Sequence, residues 1–460
     1  MKVVSKVLKF GGTSVSSVET VRNISKILKK TDEKQIVVCS ALSKVTNMLE
    51  EAGDKASKRD ASYKDICDQI KKRHHDFIDQ LFSVDEQGDL KQEIDNHITN
   101  LEKVLDAIYM LNELSQRAYY IIVSFGEKMS NAIIYQYLKI HNGDVGYLDS
   151  SEVILTKFEN GKEDVNRSKT SQAIQDKWND NYKITVAPGF ISKSENGYAT
   201  TLGRGGSDYT AALYAAMLEA KILEIWTDVS GIYTADPRKI KNAHPLEKMS
   251  YREVLELSNL GAKVIYAPTV KPVMDANIPL VILNTFFPEE KGTLVTTSTD
   301  TKIPIKSFST MDNIAMISFT GTGLVGNTGI AGRLFNCLKD VNVIIISQAC
   351  SEMAINIVIN EKDADKAVKA INKEFDFEIN GKKYIQPVRA EIGYSILAMV
   401  GEGMKNAAGV TGKAFTALGE NNINIHLIAQ GSSEINVSIV IKSSDAQKAL
   451  EALHNKFFKE

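Results

Sequence analysis

The stretch TLGRGGSDYTAALYAA, residues 201–216, sets three glycines (Gly203, Gly205, Gly206) around Arg204 and runs into an alanine-rich segment with helical spacing. Glycine lets a backbone turn tightly and bring its N–H groups against a ligand. Ser207 is placed to cap the helix, whose N-terminus attracts negative charge. The planar guanidinium of Arg204 matches two oxygens of a carboxylate or phosphate at once. The stretch reads as an anion site opening a helix or, taken alone, as a connecting turn.

Upstream, residues 3–10 read as a buried strand ending in Lys9, followed by Gly11-Gly12-Thr13-Ser14 and a helical pattern (Val18, Val21, Ile24, Ile27, Leu28). Strand, glycine turn and helix make the layout of a phosphate loop. It is not a Walker A loop, since the lysine precedes the glycines. Residues 35–40 predict a second strand, with Val45-Thr46-Asn47 opening a helix. Apolar spacing over about 60–117 is helical throughout and predicts a helical insertion. Within it His74 and His75, adjacent and so pointing about 100° apart on a helix, read as a wet face rather than a metal site. Ser124-Phe125-Gly126-Glu127 is expected to precede a helix, with Glu127 as its cap or as holder of an ammonium.

Residues 183–190 predict a strand leading through a hairpin to the opening stretch. Downstream, a strand at 223–227 runs into a loop bearing Asp228, Tyr233, Asp236 and Arg238, a mixture suited to a nucleoside and its phosphates. Gly261-Ala262-Lys263 then brings a cation to a helix start, and a strand at 280–284 closes the region. Alternating strands and helices indicate an α/β sheet covered on both faces.

From about residue 312 the chain repeats itself: ISFTGTGLVGNTGIAGRLF (317–335) matches LAMVGEGMKNAAGVTGKAF (397–415), and SQACSEMAINIVI matches AQGSSEINVSIVI. Each copy reads strand, helix, strand, strand, helix, strand, a ferredoxin-like order. The first copy contains a formal G-x-G-x-x-G at 321–326, but the second has Asn406 at the third glycine position, so a pair of small sandwiches explains both copies better than a dinucleotide fold.

At 460 residues, with 43% hydrophobic and 24% charged residues and a net charge of −2, the chain fits a multidomain globular protein. No basic excess points to nucleic acid and no apolar run reaches membrane length. Four scattered cysteines suit a reducing, cytoplasmic setting. Two glycine loops, Lys9, Lys263, Arg204, Arg238 and several acids, with no nucleophilic triad, suit phosphoryl transfer by positioning and charge neutralisation. A carboxylate acceptor, already ionised at neutral pH, needs no general base.

KFGGTSV (9–15), SFGE (124–127), TLGRGGSDYTAA (201–212), WTDVSGIYTADPR (226–238) and GAKV (261–264), in this order, resemble the aspartate kinase family, and the repeated tail resembles its paired ACT regulatory domains. The resemblance implies a three-layer αβα amino-acid kinase sandwich over residues 1–298. Residues 299–460 would form a regulatory region of two ferredoxin-like ACT domains, about 311–388 and 389–460. It further implies ATP- and Mg²⁺-dependent phosphorylation of L-aspartate to 4-phospho-L-aspartate, the entry to lysine, threonine and methionine.

Carried over by position, Lys9, Asp208 and Lys263 are the catalytic set, and Thr46, Glu127, Phe190, Arg204 and Ser207 hold aspartate. Lys9, Gly11, Gly12, Thr13, Ser14, Thr227, Asp228, Tyr233, Asp236, Arg238 and Lys263 hold the nucleotide, and no protein metal ligands are assigned. Asn327, Gly329, Ile330, Ile345, Gln348 and Gln430 would bind an effector, lysine or threonine, in a homodimer or larger assembly formed through the ACT domains. No homoserine dehydrogenase region follows residue 460, so a monofunctional form is expected. The alternatives are a kinase of this fold for another amino acid, such as glutamate, and a non-catalytic amino-acid sensor.

Overall fold

Strand β1 (Lys6–Phe10) lies inside an eight-stranded sheet in a computed structural model that describes residues 4–159, 161–261, 265–324, 328–348, 353–381 and 384–459. In chain order it is followed by β2 (Gln35–Cys39), β3 (Val145–Tyr147), β4 (Leu155–Glu159), β5 (Lys162–Val165), β6 (Ile184–Pro188), β7 (Ile191–Ser194), β8 (Ala199–Thr201), β9 (Ile222–Thr227), β10 (Lys248–Ser250), β11 (Leu280–Asn284) and β12 (Thr293–Thr296). The large sheet has the order β10-β12-β11-β9-β1-β2-β6-β3, and β5-β4-β7-β8 make a small second sheet. The chain divides into two compact units, Met1–Ile232, Pro245–Val254, Val264–Ser298 and Tyr233–His244, Leu255–Lys263, Thr299–Glu460. No helix among the described residues is long and apolar enough to cross a membrane.

Strand alternation sorts the first unit into layers. Leu8, Phe10, Val37 and Cys39 enter one apolar cluster with α1 (Val18–Leu28), α2 (Val45–Ser57), α3 (Tyr63–Leu81), α5 (Leu90–Leu111) and α6 (Gln116–Asn142), joined by the short α4 (Val84–Gln87). After α7 (Ser150–Val153) and α8 (Arg167–Lys177), the alanine-rich α9 (Gly206–Met217) packs on β1, β2 and β9, and α11 (Ala267–Asp275), which follows α10 (Tyr251–Asn259), packs on α9. Residues 60–117 are helical wherever regular, as the spacing predicts.

Two expectations fail in the helical layer. His74 is not on a wet face: it is fully buried, its Nδ1 2.7 Å from the Ile70 carbonyl, and burial pushes its pKa down to about 4. The apolar stripe of α3 is simply wide enough to include it, and only His75 reaches an acid, Asp95, at 2.8 Å. SFGE does not precede a helix but lies inside α6. Gly126, which reads as a break, is there because a Cβ would stand 2.9 Å from that of Ala41.

In the second unit the repeats hold β13 (Ser307–Thr320), α12 (Thr328–Cys337), β14 (Val343–Gln348), β15 (Ala354–Asn360) and α13 (Ala364–Glu374), then β16 (Ala390–Val400), α14 (Val410–Glu420), β17 (Leu427–Gln430), β18 (Asn436–Lys442) and α15 (Ala446–Phe458). They form one antiparallel sheet, β14-β15-β13-β16-β18-β17. Among the described residues each copy therefore has three strands of its own rather than the four expected. The fourth is lent. Ser307–Met311 of β13 pair with Ile396–Val400, and Phe308 is buried in the second copy's core, while Ala315, Ile317 and Phe319 fill the first. Conversely, the start of β16 pairs with the far half of β13 and brings Ala390 to the first core.

The changeover is marked by register shifts between Met311 and Met316, with Asn313 and Gly393 both at positive φ, 59° and 80°. Bulges of this kind bend a strand so that its two halves serve different partners. A Cβ at Gly393 would meet nothing within 4 Å, so Gly393→Ala carries only the left-handed backbone penalty. We expect it to cost about 1–2 kcal/mol, seen as a lower urea midpoint in the unfolding of the full chain.

Candidate functional site

The C-terminal ends of β1, β2, β6, β9 and β11 fall on one edge because these strands are parallel and paired in register: Phe10 with Cys39 and Trp226, Cys39 with Pro188, Asn284 with Thr227. From β1 the chain moves first to β2 on one side and later to β9 on the other, so the strand order reverses at β1. Open α/β sheets bind ligands at such a point.

Lys9, one residue out of phase with Leu8 and Phe10, faces the α9 side of the sheet. Its Nζ lies 2.5 Å from Asp208 Oδ1, and the two side chains are only 11% and 14% exposed. The two expected catalytic residues are thus an ion pair; the third, Lys263, lies outside the described residues. In the glycine turn, the Gly11 N–H donates to the Trp226 carbonyl (3.3 Å), and the buried Ser14 hydroxyl donates to the same carbonyl and accepts from Thr285 Oγ1 (2.7 Å). These two expected phosphate donors brace the turn against β9 and β11, which leaves Gly12 and the exposed Thr13 at its rim.

Ser207 does not cap α9. The N-cap is Gly205, at φ 67°, and no side chain caps the helix. Gly205 is required twice over, since a Cβ there would also lie 2.3 Å from Tyr266. Ser207 sits instead in the first helical turn, mostly buried, where a Cβ on Gly189 would come 2.5 Å from its own. Phe190 follows at φ 66°, a conformation that costs a bulky residue about 1–3 kcal/mol. Arg204 is exposed on the loop between, and no partner for its guanidinium is found among the described residues.

Glu127 is 3% exposed on α6. Its Oε1 accepts the Ala41 N–H (3.2 Å) and its Oε2 has no partner among the described residues. Burial pushes its pKa up to about 8, only partly opposed by that hydrogen bond. Two residues that the sequence reading passed over stand on the same helix face. Ser130 donates to the Ser40 carbonyl (2.8 Å) and Asn131 to the Cys39 carbonyl (3.2 Å). The spacing 127, 130, 131 in GEKMSN is the available signal, three polar groups at i, i+3 and i+4 within an apolar helix. Thr46 stands half-buried in the first turn of α2.

Of the expected nucleotide residues, Thr227 and Asp228 follow β9 in the first unit, with Thr227 Oγ1 donating to Asp228 at 3.2 Å. Tyr233, Asp236 and Arg238 belong to the second unit, where Arg238 forks onto Asp236 through two hydrogen bonds of 2.9 and 2.8 Å and holds that carboxyl below its usual pKa. Among the effector residues, Ile330 is buried in the first copy's core and Ile345 in a cluster on the other sheet face. Gly329 and Gln430 are exposed. Gln348 ends β14 as Gln430 ends β17, matching positions in the two copies, and Asn327 lies outside the described residues. No three His, Cys, Asp or Glu side chains converge as a metal site among the described residues. A cleft of about 370 Å³ beside Leu42, Lys72 and Arg73 holds none of the expected site residues.

The amino acid kinase family matches residues 5–284, and the ACT domain matches 317–375 and 397–457. The chain is 36% identical to the bifunctional aspartokinase/homoserine dehydrogenase 2, chloroplastic, of Arabidopsis thaliana, over 98% of this chain and 50% of that one. It is 30% identical to aspartokinase 3, chloroplastic, of the same plant, over 99% of this chain and 82% of that one. It thus spans about half the length of the bifunctional relatives it matches. The crystal structure of E. coli aspartokinase III with aspartate and ADP is similar at a TM-score of 0.84 and 25% identity, over 99% of this chain and 100% of that one. The same enzyme with lysine and aspartate gives 0.79, also at 25% identity and over the same shares.

The raised pKa of Glu127 has a definite sign. The folded state keeps the proton while the unfolded carboxyl loses it, so stability present below about pH 4.5 declines as pH rises and is lost through about pH 8. Glu127→Gln should remove this decline, and thermal midpoints of the ligand-free proteins from pH 5 to 8.5 should converge at the acid end and separate, variant higher, at the alkaline end.

Proposed function

The chain belongs to the aspartokinases of the amino acid kinase family, and on that premise we propose that it transfers the γ-phosphoryl group of ATP to the side-chain carboxylate of L-aspartate. The observation that carries this reading is Lys9, buried against Asp208 at the switch point of the sheet. A buried cation there can neutralise charge on a transferring phosphoryl group without reorganising at the moment of transfer. Lys263 would be its second cation, and Thr227, Asp228, Tyr233, Asp236 and Arg238 would hold the nucleotide. Mg²⁺ would supply charge neutralisation to the phosphates, and Asp208, paired with Lys9, would orient the lysines or the metal's shell. E. coli aspartokinase III has been seen with aspartate and ADP, which supports both substrates.

The acceptor carboxylate is already ionised, so no base has to be found. Arg204, exposed and without a partner among the described residues, would clamp the α-carboxylate, and Ser207, Phe190 and Thr46 would close the pocket. The Oε2 of Glu127, without a partner among the described residues, would receive the ammonium. An incoming cation favours the ionised carboxyl, so aspartate binding near neutral pH would release the proton that burial keeps on Glu127.

In this proposal residues 1–298 are catalytic. The copies at about 311–388 and 389–460 take an end-product amino acid, lysine or threonine, through Gly329, Gln348, Gln430 and their neighbours, in a homodimer or larger cytoplasmic assembly. Lysine bound to E. coli aspartokinase III supports an amino-acid effector.

With ATP, Mg²⁺ and L-aspartate, hydroxylamine should trap an acyl phosphate, and replacing L-aspartate by L-glutamate should abolish the signal. Lys9→Ala should lower turnover by roughly a hundredfold or more. Arg204→Ala should raise the aspartate KM roughly tenfold or more and leave the ATP KM alone. Wild-type turnover in Lys9→Ala, with its fold intact by circular dichroism, would remove this function. An inhibition series over lysine and threonine tests the regulatory half.

A further inference from the structure

We propose that Thr210 is a positioning residue for the substrate pocket, an inference that rests on the aspartate-binding roles of Phe190, Arg204 and Ser207. Thr210 is fully buried on α9. Its hydroxyl donates to the Gly206 carbonyl at 2.8 Å, which turns the oxygen lone pairs outward from the helix. One of them accepts the Phe190 N–H at 3.0 Å. The Phe190 carbonyl in turn accepts the Leu202 N–H at 2.9 Å. Both backbone polar groups of Phe190 are therefore tied to the two flanks of the loop 203–206, which carries Arg204. Since Phe190 stands at a positive φ of 66°, its conformation persists only while the surroundings impose it. The side chain of Phe190 also fills the space a Cβ on Gly206 would need, 2.7 Å away. One hydroxyl thus sets the spacing between Phe190 and the start of α9, and with it the placement of Arg204 and Ser207.

The test compares Thr210→Val, which keeps the shape and leaves the Phe190 N–H unpaired, with Thr210→Ser, which keeps the hydroxyl. Thr210→Val should raise the aspartate KM and the calorimetric Kd for L-aspartate by roughly tenfold, with the ATP KM unchanged and kcat within about twofold of wild type. Thr210→Ser should restore both values to within about twofold. Thr210→Ala, which loses the hydroxyl as donor and acceptor together with the methyl, carries the comparison if the valine protein does not fold. A lowered thermal midpoint with unchanged aspartate KM and Kd would overturn the proposal, leaving Thr210 a purely structural residue. Wild-type protein that neither binds nor phosphorylates aspartate would instead overturn the reading on which it rests.

Discussion

Placing a lysine ammonium where water hardly reaches it is expensive unless an opposite charge stands beside it, and the Lys9–Asp208 pair meets that condition at the centre of the site. Neither residue could be placed alone. Lys9 needs β1 to be held between β2 and β9 in parallel register, and Asp208 needs α9 to begin immediately after the glycine loop. The glycines are what allow that start: Gly205 turns left-handed under Tyr266, and Gly189 lets the chain after β6 lie on Ser207. The ion pair is thus the point at which the strand register and the helix start must agree.

How much of this was legible in the sequence follows from how local each signal is. Lys9 at a strand end and Arg204 among glycines are properties of a few neighbouring residues, and the structure has Lys9 near the end of β1 and Arg204 exposed on the loop before α9. Serine and glycine compete for the cap of α9, and only the backbone angle shows that Gly205 takes it. Gly126 looks like punctuation and so suggests a helix start at Glu127, which lies inside α6. In fact the glycine answers to Ala41, a residue 85 positions away, and no local pattern carries that contact. Thr210 and Asn131 carry no local signal for the same reason, since each bonds to a main-chain partner distant in sequence.

The repeat in the tail is visible as aligned glycines and a matching Gln-x-x-Ser-Glu, yet nothing in it shows that two of its strands are shared. Counting strands copy by copy assumes that each copy folds by itself. β13 is long enough, at 14 residues, to serve both cores, and the kink at Asn313 opposite Gly393 is what divides it.

The lent strands also bear on how such a tail can change over evolutionary time. A gene fragment encoding one copy alone would leave its core with an uncovered flank, and the orphaned half of β13 or β16 would expose backbone groups to any passing sheet edge. Insertion, loss or shuffling of a single copy is therefore disfavoured at the level of folding, before any effect on regulation arises. The pair is one folding piece, in which each half completes the other.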